Sequence, residues 1–248
     1  YLAMAAKTGI AHRALRPLIG IIDPNNTRSM PKMVTTCTAL DQVTHALESI
    51  TALPYNQRVA PDSPENRPAY QGANPISTIW AKQSLSMLTQ NILTVMDNPD
   101  ADAERGNVML AATFAGIGFG NAGVHLAHGM SYPVSGMVRD YIPEGYPPNT
   151  PIVPHGMSVI LNAPAVFRYT APTNPALHIE CAALMGADIS NASVENAGEI
   201  LVDTIIDLMK KTGMPNGLSA VGYTEADIDK MVEGTLPQHR VTKLSPTP

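Results

Sequence analysis

The sequence predicts a mainly helical fold. Apolar residues recur at helical spacing through most of the chain, strand patterning is almost absent, and two long proline-rich stretches separate the helical blocks. The chain has 248 residues, 44% of them apolar, which suffices to bury a substantial core.

The first stretch ends in "PLIGIIDP" (17–24), an apolar run closed by Asp-Pro, which makes a short buried strand at most. "TALDQVTHALESI" (38–50) sets Leu40, Val43, Leu47 and Ile50 on one helical face. Residues 54–75 are rich in Pro, Asn and Gly and predict a long ordered loop. A second helix covers 76–96 and stops near "DNPD". Residues 101–130 predict a third, with a glycine-rich middle. A second proline-rich loop spans 132–156. Helices follow near 155–171, 177–186, 193–212 and 224–234, and the chain ends irregularly.

Charge and composition narrow the function classes. The net charge is −5 with Lys and Arg scattered, which argues against nucleic acid as the partner. The apolar tract 108–123 is broken by Thr113, Asn121 and several glycines, so a buried helix is expected there rather than a membrane span. Cys37 and Cys181 are expected to be reduced thiols in a reducing compartment, and no targeting leader is visible, so a cytoplasmic protein is expected. The chain opens in mid-pattern without Met, which suggests a fragment or a shortened sequence.

Several motifs compete for chemistry. "GFGNAG" (118–123) matches G-x-G-x-x-G, with Asp140 downstream, but a dinucleotide turn needs a strand before it. The preceding "NVMLAATFAGI" lacks β-branched alternation, so close helix packing is the better reading. Asp41 and His45 stand at i, i+4, which puts both side chains on one helix face. Taken alone, such a pair is an ordinary surface contact. With His128 and with His155 in "VPHGM" it makes a mixed N/O donor set suited to Fe²⁺ or Zn²⁺. His125, three residues before His128, is the rival ligand. His12 and His178 are expected at the surface. No Ser/His/Asp order or G-x-S-x-G supports acyl transfer.

"ALDQVTHALES", "GNAGVHLAHGMSYP" and "VPHGMSV" together resemble the iron-containing (group III) alcohol dehydrogenases, and among them the hydroxyacid–oxoacid transhydrogenase branch. The similarity runs over nearly the whole chain, including "RPAYQGANPIS" and "GTLPQHRVTKLSP". It implies the helical metal-binding domain of the dehydroquinate synthase-like fold, with residues 25–248 as that domain. Residues 1–24 would be a remnant of, or connector to, an N-terminal nucleotide-binding α/β domain largely absent from this chain. "YLAM" (1–4) resembles a strand of that domain. The resemblance also implies Asp41, His45, His128 and His155 as ligands of one divalent metal. It selects His128 over His125, whose position is glycine in most relatives.

One departure touches the site. Most of the family carries a second His four residues after the third ligand, where this chain has Tyr132. The implied reaction is hydride transfer between a hydroxy acid (4-hydroxybutyrate-like) and an oxo acid (2-oxoglutarate-like) with NAD, the metal acting as a Lewis acid. Tyr132 would then move a proton, if its pKa is much lowered, or hydrogen-bond substrate. His125 is expected to line the substrate or nicotinamide pocket. Arg240 and Lys243, then Arg139, are the cations expected to meet substrate carboxylates, although each could be an ordinary solvated charge. A homodimer or higher homo-oligomer is expected, and a mitochondrial location if the source is eukaryotic. Two other readings stay open: a general iron-containing alcohol dehydrogenase, and a non-catalytic metal-stabilised helical fragment that needs a nucleotide-binding partner.

Overall fold

A computed structural model describes Gly9 and residues 12–247. "YLAM" lies outside the described residues. The described residues form ten α-helices: α1 Lys32–Thr51, α2 Pro75–Asp97, α3 Asp102–Ala122, α4 Leu126–Gly136, α5 His155–Ile160, α6 Ala163–Thr170, α7 Pro175–Leu184, α8 Ala197–Lys211, α9 Ile228–Thr235 and α10 His239–Thr242. Among the described residues there is no strand, only an isolated parallel bridge between Pro54 and Ala73. Among the described residues no single helix is long and apolar enough to cross a membrane.

α1 is the central helix: fourteen of its twenty residues are buried. It packs against α2, α3, α5 and α7, while α6 and α7 pack on α8, and α4 on α5 and α9. Leu40, Leu47 and Ile50 from α1 meet Leu85, Leu88 and Ile92 from α2, with Phe167, Leu201 and Ile205 beyond them, all essentially without exposed surface. Burial of each such side chain stabilises the fold by about 1.5–3 kcal/mol. Local signals set the helix ends. The Asn74 side chain accepts a hydrogen bond from the Ser77 amide, and Pro75 fills the first turn of α2, where no N–H is needed.

The structure corrects four expectations. Residues 17–24 form no buried strand: Leu18, Ile19 and Ile21 stand exposed, and Pro24–Thr27 is a short 3-10 turn. The helix expected over 101–130 is two helices bent by 105°, because Gly123 at φ +90° ends α3. A Cβ there would come within 2.3 Å of Leu244 and 2.8 Å of Tyr70, so only glycine allows the turn. The second proline-rich loop starts later than 132, since α4 runs through Pro133 to Gly136. The helix expected over 155–171 is broken at Leu161–Asn162 into α5 and α6. "GFGNAG" is helical, as its composition predicts, and Gly118 lies against Ala81 of α2.

Candidate metal centre and the pocket beside it

Asp41, His45 and Glu48 project from one face of α1 at i, i+4 and i+7. The 105° turn after α3 brings the start of α4, with His128, over this face. α5 delivers His155 from its first residue. Its entry is tight: a Cβ on Gly156 would sit 1.8 Å from the Cys37 carbonyl oxygen and 3.0 Å from Asp41 Cβ. The "PHG" turn needs glycine for this reason.

Four side chains from three helices thus meet. His128 Nε2 is 3.1 Å from His45 Nε2 and 3.4 Å from Asp41 Oδ1, and His155 Nε2 is 4.0 Å from Asp41 Oδ1. Donor atoms of Asp41, His45 and His128 all lie within 4.8 Å of one another. Around a tetrahedral ion with bonds of about 2.0–2.2 Å, neighbouring donors are about 3.4 Å apart. Asp41 Oδ1 is buried and accepts no hydrogen bond. An acceptor so placed, facing imidazole nitrogens, fits a cation between them.

The electrostatics agree. Burial works against charge on Asp41, but His45, His128 and His155 hold its carboxyl well below the usual carboxylate range. Burial lowers His45 to about 4, so its ring is neutral and offers a lone pair. Burial also opposes charge on His128, yet Glu48 and Asp41 outweigh it and raise its pKa to about 9. The cluster attracts positive charge.

Glu48 is a site residue that sequence reasoning missed. Its buried carboxylate accepts from His128 Nδ1 and from the Ala127 amide at 2.7 Å. His125 lies beyond it. The expectation that His125 lines the substrate pocket is not met: the ring has no exposed surface, with Nδ1 3.5 Å from Glu48 Oε1 and Nε2 2.9 Å from Thr51 Oγ1. The chain turns just before α4, and this directs His125 into the core. His178, expected at the surface, is buried and bonded to Thr170 and the Asn174 carbonyl.

Aromatic rings surround the open side of the cluster. Phe119 stacks on His45 at 4.2 Å, and Tyr70 lies 6.5 Å from Phe119. Tyr132 lies 6.4 Å from His155, with the two rings nearly parallel. Arg240 closes the circle: it donates to the Tyr132 hydroxyl and lies over both the Tyr70 and Tyr132 rings. Burial pushes the Tyr132 pKa up and Arg240 only partly offsets it, so the low pKa that proton transfer would need is not what this environment produces. Next to this circle is a cavity of about 400 Å³ lined by Arg58, Asn66, Tyr70, His239, Arg240 and Lys243, among others. No carboxylate lines it. Arg58 was not anticipated; it comes from the first proline-rich loop and donates to the Tyr70 carbonyl. Arg139 is not part of this group. Its guanidinium pairs with Asp227, donates to the Gly222 carbonyl and lies over Tyr223.

Residues 69–248 match the family described as "Fe-containing alcohol dehydrogenase family, C-terminal". The chain belongs to the Fe-containing alcohol dehydrogenase family. This member shares 56% identity over 98% of its length with a "Probable hydroxyacid-oxoacid transhydrogenase, mitochondrial" of Dictyostelium discoideum, covering 45% of that protein. It is 51% identical over 99% of its length to the hydroxyacid-oxoacid transhydrogenase of Xenopus tropicalis and 49% identical over 100% to that of Homo sapiens, covering 53% of each. The chain spans about half the length of the curated relatives it matches. Its fold superposes on a 1,3-propanediol oxidoreductase with a TM-score of 0.75 at 24% identity, over 91% of this chain and 51% of that one. An archaeal halo-thermophilic Red Sea brine pool alcohol dehydrogenase gives a TM-score of 0.79 at 20% identity, over 98% and 54%. The mainly α iron alcohol dehydrogenase fold expected from the sequence is therefore the observed one. Asp41 and His45 precede the family-matched span, whereas His128 and His155 lie within it.

Proposed function

We propose that this chain is the metal-binding half of a metal- and NAD-dependent oxidoreductase that transfers a hydride between a hydroxy acid and an oxo acid. The observation that carries the reading is the convergence of Asp41, His45, His128 and His155 beside a carboxylate-free cationic cavity. The names of the relatives support the reaction class and, for a eukaryotic source, a mitochondrial location.

Asp41, His45, His128 and His155 would hold the ion, Fe²⁺ or Zn²⁺, which supplies Lewis-acid polarisation of a substrate oxygen. NAD would carry the hydride, and "GFGNAG" lies at the end of α3, with Gly123 as its C-cap. Arg240, Lys243 and Arg58 would bind the substrate carboxylate, as planar or point-charge donors facing a site without competing acids. Tyr132 accepts from Arg240, so its own hydrogen remains to donate to a substrate oxygen. With its pKa raised, it keeps that hydrogen at neutral pH. Phe119 and Tyr70 would shield the reacting oxygen from water.

The test is a transhydrogenation assay on the full-length protein with 4-hydroxybutyrate and 2-oxoglutarate and no added NAD. Conversion of both acids in equal amounts supports the reading. A strict need for free NAD in stoichiometric amounts would assign the protein to the general alcohol dehydrogenases instead.

A further inference from the structure

We propose that Glu48 is the positioning residue of this metal centre: its carboxylate sets the tautomer and orientation of His128, with His125 packed behind it. The proposal rests on the reading of Asp41, His45, His128 and His155 as metal ligands.

Glu48 has no exposed side-chain surface. A carboxylate so buried persists only where donors surround it. Oε1 accepts from the Ala127 amide at 2.7 Å and from the His128 amide at 3.3 Å, the first turn of α4. The residue that precedes this helix, His125, provides no side-chain cap. Glu48 therefore caps α4 from another helix. Oε2 faces His128 Nδ1. An ionised carboxylate only accepts, so the His128 proton is drawn to Nδ1 and the lone pair is left on Nε2. It is Nε2 that stands 3.1 Å from His45 Nε2 and 3.4 Å from Asp41 Oδ1. One carboxylate thus fixes where α4 starts, how the His128 ring is turned, and which nitrogen it presents. On the far side, His125 lies with Nδ1 3.5 Å from Oε1, is tied to Thr51 at 2.9 Å and rests edge-on against Phe167. Asp41, His45 and Glu48 share one face of α1, so a single helix supplies two ligands and the group that aims a third.

Glu48 could be a helix cap and nothing more, and Glu48→Gln separates the two roles. Glutamine keeps the length, and its oxygen can still accept from the Ala127 amide. Its NH₂ then meets His128 Nδ1 and favours the proton on Nε2, where it blocks ligation. In the purified full-length chain, stripped of metal and titrated with Zn²⁺, Glu48→Gln should retain the parent's circular dichroism and bind about 10–100-fold more weakly. Glu48→Asp should restore part of the loss. Nitrogen-15 imidazole spectra of the metal-free parent, recorded at alkaline pH where the ring is neutral, should place the His128 proton on Nδ1. Zn²⁺ binding by Glu48→Gln within about twofold of the parent would overturn the proposal. So would a parent spectrum with the proton on Nε2, and this spectrum decides the matter alone if Glu48→Gln does not fold. A parent whose Zn²⁺ uptake is unaffected by Asp41→Asn would refute the metal centre instead, while the tautomer still judges Glu48.

Discussion

His125 and His128 differ in work because the chain turns between α3 and α4. His128 faces Asp41 and His45, whereas His125 faces Glu48 and Thr51. His128→Ala should abolish stoichiometric metal, measured by elemental analysis, and should also lower stability, because it leaves the buried Glu48 carboxylate without its ring donor. His125→Ala removes a ring from the core and should cost roughly 2–4 kcal/mol in denaturant unfolding. Full metal loss in His125→Ala with retention in His128→Ala would reverse these roles. Tyr132→Phe deletes one hydroxyl and should leave metal content unchanged while lowering kcat about 10–100-fold in steady-state assays, the effect of one hydrogen bond in the transition state. Much of this chemistry was legible in sequence. The i, i+4 spacing of Asp41 and His45 pointed to a shared helix face, and family resemblance added His155 and chose His128 over His125. Glu48 was not legible, because a glutamate in an amphipathic helix has the composition of a solvent-facing residue. Only its distance of seven from Asp41 marks it as sharing the ligand face.

At the scale of elements, two close approaches hold the site together. Gly156 lets α5 touch α1 at Cys37, and Gly156→Ala has no room for its methyl group. Overpacking of this kind costs about 1–3 kcal/mol or more, and the shift would carry His155 away from Asp41. The expected outcome is a lower Tm together with weaker Zn²⁺ binding; a variant with parental values for both would show that the contact is dispensable. The helix break at Gly123 was missed because the apolar pattern continues through it, and periodicity does not register a change of direction. Arg139, expected at the substrate, instead ties the end of α4 to the turn before α9 through Asp227. Asp227 also accepts from the Thr224 amide, and this bond and Arg139 hold its pKa below the usual value. A carboxyl depressed in the folded state stabilises the protein above its unfolded pKa of about 3.9, and that stability is lost as pH falls through the folded value. Asp227→Asn should therefore lower Tm at pH 7, and the difference from the parent should shrink in acid below the unfolded pKa. A difference that stays constant across this range would mean that the ion pair contributes nothing through its charge.

Across the described residues, the chain brings together the Asp41, His45, His128 and His155 cluster, an aromatic circle and a cationic cavity from six separate segments. α1, α3, α4, α5, the first proline-rich loop and α10 each contribute at least one side chain. Helix type and order were legible because the apolar period fixes them, whereas the cavity was not. Arg58 and Lys243 are 185 positions apart and meet only through the path of a loop without periodic pattern. Apolar composition does not reveal what covers a segment: in residues 17–24 it suggests a short buried strand at most, whereas Leu18, Ile19 and Ile21 face outward. The central claim is that four side chains from three helices share one ion. Element-resolved anomalous diffraction from crystals of the iron-loaded protein tests it most directly. The expected result is one iron peak bounded by Asp41, His45, His128 and His155. An iron peak elsewhere, or one with His125 in the place of His128, would contradict it.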